Sequence, residues 1–117
     1  MKILIIINDA PYGSEKAYNG LRLAITLQKE YKDVQIRIFL MADAVLCALP
    51  NQLTPDGYYN LERMFRLVIN KGAEVKACGT CSNSRGIRGL TLIPGIKIST
   101  MSQLTQWVLE SDKVLTF

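Results

Sequence analysis

Cys78 and Cys81 stand three residues apart in Val75-Lys76-Ala77-Cys78-Gly79-Thr80-Cys81-Ser82-Asn83-Ser84-Arg85-Gly86-Ile87, where a short strand pattern passes into a loop and helix pattern. Sulfur chemistry is the leading reading. A thiol at a strand's carboxyl end, ahead of a helix amino terminus, points into the crevice where open α/β sheets gather their reactive groups, and N–H groups there favour thiolate over thiol. The guanidiniums of Arg85 and Arg88 add to that bias. The competing reading is a packed, inert thiol pair, because free cysteine is often buried as a small hydrophobe.

Composition narrows the chemistry. The 117 residues contain no histidine, which excludes Ser-His-Asp and Cys-His nucleophile activation, histidine general-base chemistry and histidine-ligated metal within this chain. A single C-x-x-C supplies two ligands, so a tetrahedral zinc site would need two chains to meet. The net charge of +4 invites a nucleic-acid reading. Its distribution argues against direct nucleic-acid binding: Lys29, Lys32, Arg37, Arg63, Arg66 and Lys76 are scattered among Glu30, Asp33, Glu62 and Glu74, with no basic track and no interleaved aromatic platform. Gly13-Ser14-Glu15-Lys16 lacks the spacing of a phosphate-binding P-loop and no G-x-G-x-x-G follows a strand, so no nucleotide cofactor is expected.

With 49% hydrophobic and 21% charged residues the chain reads as one globular domain, 1–117. Met1-Lys2 leads into only Ile3 to Ile7 before Asn8-Asp9, too short for a secretory signal, and three cysteines cannot all pair within one chain. A reducing cytoplasm is the expected setting. No apolar run approaches the ~20 residues that span a bilayer, so no membrane-integral segment is expected.

The elements that must position the thiols follow from periodicity. Lys2 to Ile7 is a continuous β-branched run suited to a strand covered on both faces. Asn8 to Gly13 is a turn-rich loop, and Ser14 is the expected cap of a helix with Glu15, Asn19, Arg22, Thr26, Lys29 and Asp33 on its polar stripe and Leu21, Leu23, Ala24 and Leu27 away from it. Val34 to Leu40 reads as the second strand. Asp43 is the expected cap of a short apolar turn through Leu49, which Pro50 stops, and Asn51 to Gly57 is a loop. Leu61, Met64, Phe65 and Val68 form the inner face of a helix ending at Gly72; Glu74 to Ala77 is the third strand and Ile96 to Ile98 the fourth. Thr100 caps a helix turning Met101, Leu104, Trp107 and Val108 inward, and Lys113 to Thr116 is the last strand. Alternating strands and helices predict right-handed crossovers and a three-layer α/β/α sandwich. The loops after strands one, two and three then share one edge, bringing Asp9, Asp43 and Cys78 toward each other. The apolar run Ala44 to Leu49 and an exposed Tyr58-Tyr59 pair offer surface for a homo-oligomer.

In order along the chain, Asn8-Asp9-Ala10-Pro11-Tyr12-Gly13-Ser14-Glu15, Leu21-Arg22-Leu23-Ala24-Ile25, Phe39-Leu40-Met41-Ala42-Asp43-Ala44-Val45, Cys78-Gly79-Thr80-Cys81, Arg85-Gly86-Ile87 and Ser111-Asp112-Lys113-Val114-Leu115-Thr116-Phe117 resemble the DsrE/DsrF-like proteins, most closely their YchN branch. The resemblance implies a five-stranded parallel sheet of order 4-3-2-1-5, hexameric assembly and sulfur relay through a cysteine persulfide, with sulfur donor and acceptor proteins as partners. In the relay branch the sulfur-carrying cysteine follows the third strand and precedes an Arg-Gly-hydrophobic sequence. Cys78 matches that position, with Arg85-Gly86-Ile87 behind it; Cys81 matches the YchN-like pattern and Cys47 matches neither. The expected site is therefore Cys78 as nucleophile, Cys81 as resolving or hand-off thiol and Arg85 beside them, with no cofactor. The alternatives are a CxxC thiol-disulfide redox or stress-sensing protein and a noncatalytic oligomeric binding module.

Overall fold

The computed structural model describes residues 1–117. Five parallel strands, β1 (Lys2–Ile7), β2 (Gln35–Leu40), β3 (Glu74–Cys78), β4 (Ile96–Ser99) and β5 (Lys113–Thr116), form one sheet in the order β4-β3-β2-β1-β5. Between them run α1 (Lys16–Glu30), a 3₁₀ segment (Ala42–Ala48), α2 (Leu61–Asn70), α3 (Gly79–Ser84) and α4 (Met101–Glu110). This is the α/β sandwich and strand order expected from the sequence. Ile3, Ile5, Phe39, Leu61, Phe65 and Trp107 are all buried, as their periodicity requires.

Strand alternation separates two unequal faces. One carries Ile3, Ile5 and Ile7 of β1 with their lateral partners Ile36, Ile38 and Leu40 of β2, and is apolar there, with Lys113 at the β5 edge; Ile7 lies against α1 where Gly20 leaves room for it. The other carries Leu4, Ile6, Arg37, Phe39, Glu74, Lys76 and Val114, and α4 packs on it by setting Trp107 edge-on to Phe39, ring centroids 6.0 Å apart. Trp107 also takes the Arg37 guanidinium at 5.2 Å and the Lys76 ammonium at 4.8 Å, so strand charges are held over its ring. Only Leu104 and Trp107 of α4 are buried. Met101 and Val108, expected inward, are exposed, because a lone helix touches the sheet with one narrow stripe.

Three further expectations are corrected. Ser14 is not at the cap position of α1, which is Glu15; its hydroxyl accepts from the Lys16 N–H only at 3.4 Å and donates to Asp9 at 2.9 Å, tying the loop. Asp43 lies inside the first turn of the 3₁₀ segment, whose cap position is Met41. Its carboxylate is taken by a guanidinium, a charge-assisted bond stronger than a neutral cap. The run Ala44 to Leu49 is not outer surface: Ala44, Val45, Cys47 and Ala48 are buried in the chain's own core. No helix is long and apolar enough to cross a membrane.

Candidate functional site

Cys78 is both the last residue of β3 and the cap of α3, and its extended backbone aims its sulfur across the first turn of the helix. The Cys81 N–H donates to that sulfur at 3.4 Å. Directly behind the cysteine, Gly79 lies against β4 so closely that a Cβ would stand 3.1 Å from the Ser99 carbonyl oxygen and 3.2 Å from Ile98 Cγ2. A side chain there would require β4 or α3 to give by a few tenths of an ångström. Buried Ser82 donates to the Cys78 carbonyl at 2.7 Å and pins the first turn from within.

Cys81 is seated by a different loop. The Ala42 N–H donates to its sulfur at 3.2 Å, and Ala42 itself takes φ +50°, a left-handed conformation that costs a non-glycine residue about 1–3 kcal/mol. The chain holds that conformation where β2 ends and the 3₁₀ segment begins. One residue on, the Asp43 carboxylate accepts from Arg85 Nε at 2.9 Å, while Arg85 Nη1 donates to the Cys81 carbonyl at 3.1 Å and to the Ser84 hydroxyl at 2.9 Å. Arg85 therefore stands beside Cys81 and is neutralised in part by Asp43. Arg88 turns to the Asn83 side chain at 3.4 Å.

Burial separates the three thiols, all of them free. Cys78 is 4% exposed, Cys47 is 1% exposed and Cys81 is half-buried. Burial pushes the Cys47 thiol up to about 12, and its hydrogen goes to the Asp9 carbonyl at 3.9 Å. Cys81 is also raised, first by burial and then by its hydrogen bond with the Cys78 thiol; the Ala42 amide and the Arg85 charge pull it the other way. The two cysteines are thus neighbours at the head of α3, joined by the Cys81 N–H on Cys78 Sγ, with Arg85 on the Cys81 carbonyl.

The structure brings Cys78, Cys81 and Arg85 together and adds Asp43 through Arg85. Asp9 stays apart: its carboxylate engages Ser14 and, at 3.8 Å, Lys16. The Ala42 amide was invisible in the sequence, since a backbone donor carries no residue signature. The Asp43–Arg85 pair was foreshadowed only by topology, which puts the loops after β2 and β3 on one edge. No group of three or more Cys, Asp or Glu side chains is arranged to hold a metal ion.

The profile of the DsrE/DsrF-like family matches residues 1–117. The chain belongs to the DsrE/DsrF-like family. It is 47% identical to protein YchN of Escherichia coli K12 over 116 residues, covering 99% of this chain and 98% of YchN. It is 41% identical over 117 residues to the uncharacterized protein MJ0989 of Methanocaldococcus jannaschii, covering all of both chains. The crystal structure of E. coli ychN matches with a TM-score of 0.94 at 46% identity, over 99% of this chain and 98% of that one. MTH1491 of Methanobacterium thermoautotrophicum, a protein of unknown function, matches with a TM-score of 0.73 at 14% identity over 99% and 98%, a likeness of fold alone.

Proposed function

We propose that this DsrE/DsrF-like protein is a small cytoplasmic sulfur-relay carrier that holds sulfur as a persulfide on Cys78. The observation that carries this reading is a pair of free cysteines at the carboxyl end of β3, joined by the Cys81 N–H on Cys78 Sγ and standing beside Arg85. In loading, the Cys78 thiolate attacks the outer sulfur of a donor persulfide R–S–SH. The bond from Cys78 Sγ to that sulfur forms, the donor S–S bond breaks, and its electron pair leaves on the inner sulfur as RS⁻; the outer proton stays where it was. Exchange onto an acceptor thiolate, direct or by way of Cys81, reverses the sequence, with no net oxidation and no cofactor. The Cys81 amide supports the reading because it faces the sulfur that is anionic before attack and again on departure. Sulfur donor and acceptor proteins are the partners, and the carrier is a homo-oligomer, a hexamer on the family pattern.

Intact mass spectrometry after incubation with a persulfide donor tests this. The wild type gains one sulfur, Cys78→Ser gains none, and Cys81→Ser loads and keeps its persulfide longer. Full loading of Cys78→Ser would move the reactive site to Cys81 or Cys47. The nearness of the two cysteines also favours a second reading, a dithiol that cycles to a Cys78–Cys81 disulfide; a loss of two protons in mass, with no gain of sulfur, would select it. No reaction at either thiol would leave a noncatalytic binding module.

A further inference from the structure

Sulfur held on Cys78 is harder for an acceptor to reach than sulfur on Cys81. Cys78 is 4% exposed, and Gly79 and Ser82 on the same turn are buried against β4 and the Cys78 carbonyl. Cys81 is half-buried, donates its N–H to the Cys78 sulfur at 3.4 Å, and has a seat built by Ala42, 39 positions away in the chain, and its neighbour Asp43. That seat is the Ala42 amide at 3.2 Å on its sulfur, with Asp43 at 2.9 Å on the guanidinium that grips its carbonyl at 3.1 Å. We propose that sulfur leaves through Cys81, passed outward from the Cys78 persulfide, and that Asp43 is a positioning residue for this transfer. The proposal rests on the relay reading above.

In the step, the Cys81 thiol first gives its proton to solvent. Its thiolate attacks the outer sulfur of the Cys78 persulfide, a bond from Cys81 Sγ to that sulfur forms, and the bond to Cys78 Sγ breaks. The electron pair returns to Cys78, which leaves as a thiolate facing the Cys81 amide; the proton on the outer sulfur is retained and nothing is oxidised. The persulfide then stands on the more exposed of the two sulfurs. The Ala42 amide faces the Cys81 sulfur before and after the exchange, and Arg85, oriented by Asp43 in addition to its bonds to the Cys81 carbonyl and the Ser84 hydroxyl, supplies positive charge beside the attacking thiolate. The groups facing Cys81 are Cys78 from β3, the Ala42 amide and, through Arg85, Asp43 from the 3₁₀ segment, and Arg85 from the end of α3. Burial and Cys78 raise the Cys81 thiol, so the transfer accelerates as pH rises.

The route is tested by loading the protein with polysulfide, removing the donor, and offering either cyanide, a small nucleophile that strips sulfane sulfur, or a single-cysteine peptide. Cys81→Ser is expected to lower the ratio of peptide to cyanide rates by about ten-fold or more, and Asp43→Asn by several-fold. Asp43→Asn also displaces the pH midpoint of Cys81 alkylation upward, and Asp43→Glu restores both readouts, which a merely structural role would not do. An unchanged ratio in Cys81→Ser would overturn the exit route. A downward or absent displacement in Asp43→Asn would overturn the positioning role, since it would mean that Asp43 only screens Arg85. Failure of the wild type to take up sulfur would overturn the relay reading and the exit route with it, whereas the alkylation profile reads the hold of Asp43 on Cys81 with no sulfur present.

Discussion

Burial, which no local pattern encodes, sorts three cysteines that are chemically identical as sequence. Cys47 sits within the 3₁₀ segment at 1% exposure with its thiol pushed up to about 12, so it is neither a nucleophile nor a reserve thiol at neutral pH. Iodoacetamide applied to the folded protein, followed by peptide mapping, is expected to label Cys47 last; labelling of Cys47 ahead of Cys78 and Cys81 would contradict its placement. The same burial links to stability. Below pH 9, the thiol's ordinary value, Cys47 is protonated folded and unfolded and its contribution is intact; between pH 9 and about 12 the unfolded chain ionises it while the folded chain does not. Stability on the order of 4 kcal/mol is lost across that window. Tyr59, raised to about 12 by burial and by the neighbouring Tyr58 and with its hydroxyl donating to the Ser14 carbonyl at 3.3 Å, adds loss in the same direction above pH 10. Denaturant titrations at pH 8 and 11 are expected to show a smaller alkaline loss in Cys47→Ala than in the wild type. Equal losses would assign the effect to Tyr59.

Elements whose signals are redundant were legible, and those resting on one polar residue were not. Helix α2 has an inner stripe of Leu61, Phe65 and Val68, an Asn60 side chain that accepts from the Arg63 N–H at 3.0 Å, and Gly72 at φ +98° just beyond its end, so pattern, cap and stop agree. Thr100 caps α4 in the same way, accepting from the Gln103 N–H at 3.2 Å. Ser14 and Asp43 look like caps of equal quality, yet each side chain found a stronger partner across a loop: Asp9 for Ser14, Arg85 for Asp43. A cap signal competes with every partner the fold brings near, and only the fold lists those partners. The turn into β4 gives the sharpest test at this scale. Gly95 has φ +94°, and a Cβ there would lie 2.9 Å from Ile69 Cγ2 of α2, so Gly95→Ala carries both backbone strain and a clash. It is expected to destabilise the fold by about 1–3 kcal/mol, read as a lower denaturation midpoint with unchanged slope, whereas Asn60→Ala is expected to lose about 1 kcal/mol.

For the molecule as a whole, an all-parallel sheet is normally covered on both faces, and here one face has α1, α2 and the 3₁₀ segment while the other has α4 alone. The deficit is visible as side chains. Leu109 is 82% exposed and Met101 56%, with Val108 and the β5 residue Val114 also outward on the α4 side. The surface that was expected to drive association lies elsewhere in the fold: Ala44 to Ala48 is internal apart from half-buried Leu46, and Tyr59 is stacked between Tyr18 at 4.1 Å and Tyr58 at 4.5 Å, leaving only Tyr58 outward. The homo-oligomer proposed above is therefore expected to use the α4 face, where burying four large apolar side chains removes surface that water tolerates poorly. Leu109 makes the clean probe, because at 82% exposure its replacement leaves the core of the protomer untouched. Sedimentation velocity at micromolar concentration is expected to give an oligomer for the wild type and smaller species for Leu109→Glu, with the denaturation midpoint of the isolated protomer unchanged. A monomeric wild type would defeat the idea outright. An oligomer indifferent to Leu109→Glu would move the interface to the apolar groove between α1 and β5, lined by Ile3, Leu23, Leu27, Tyr31 and Leu115, and the matching substitution Leu23→Glu would then separate the protomers.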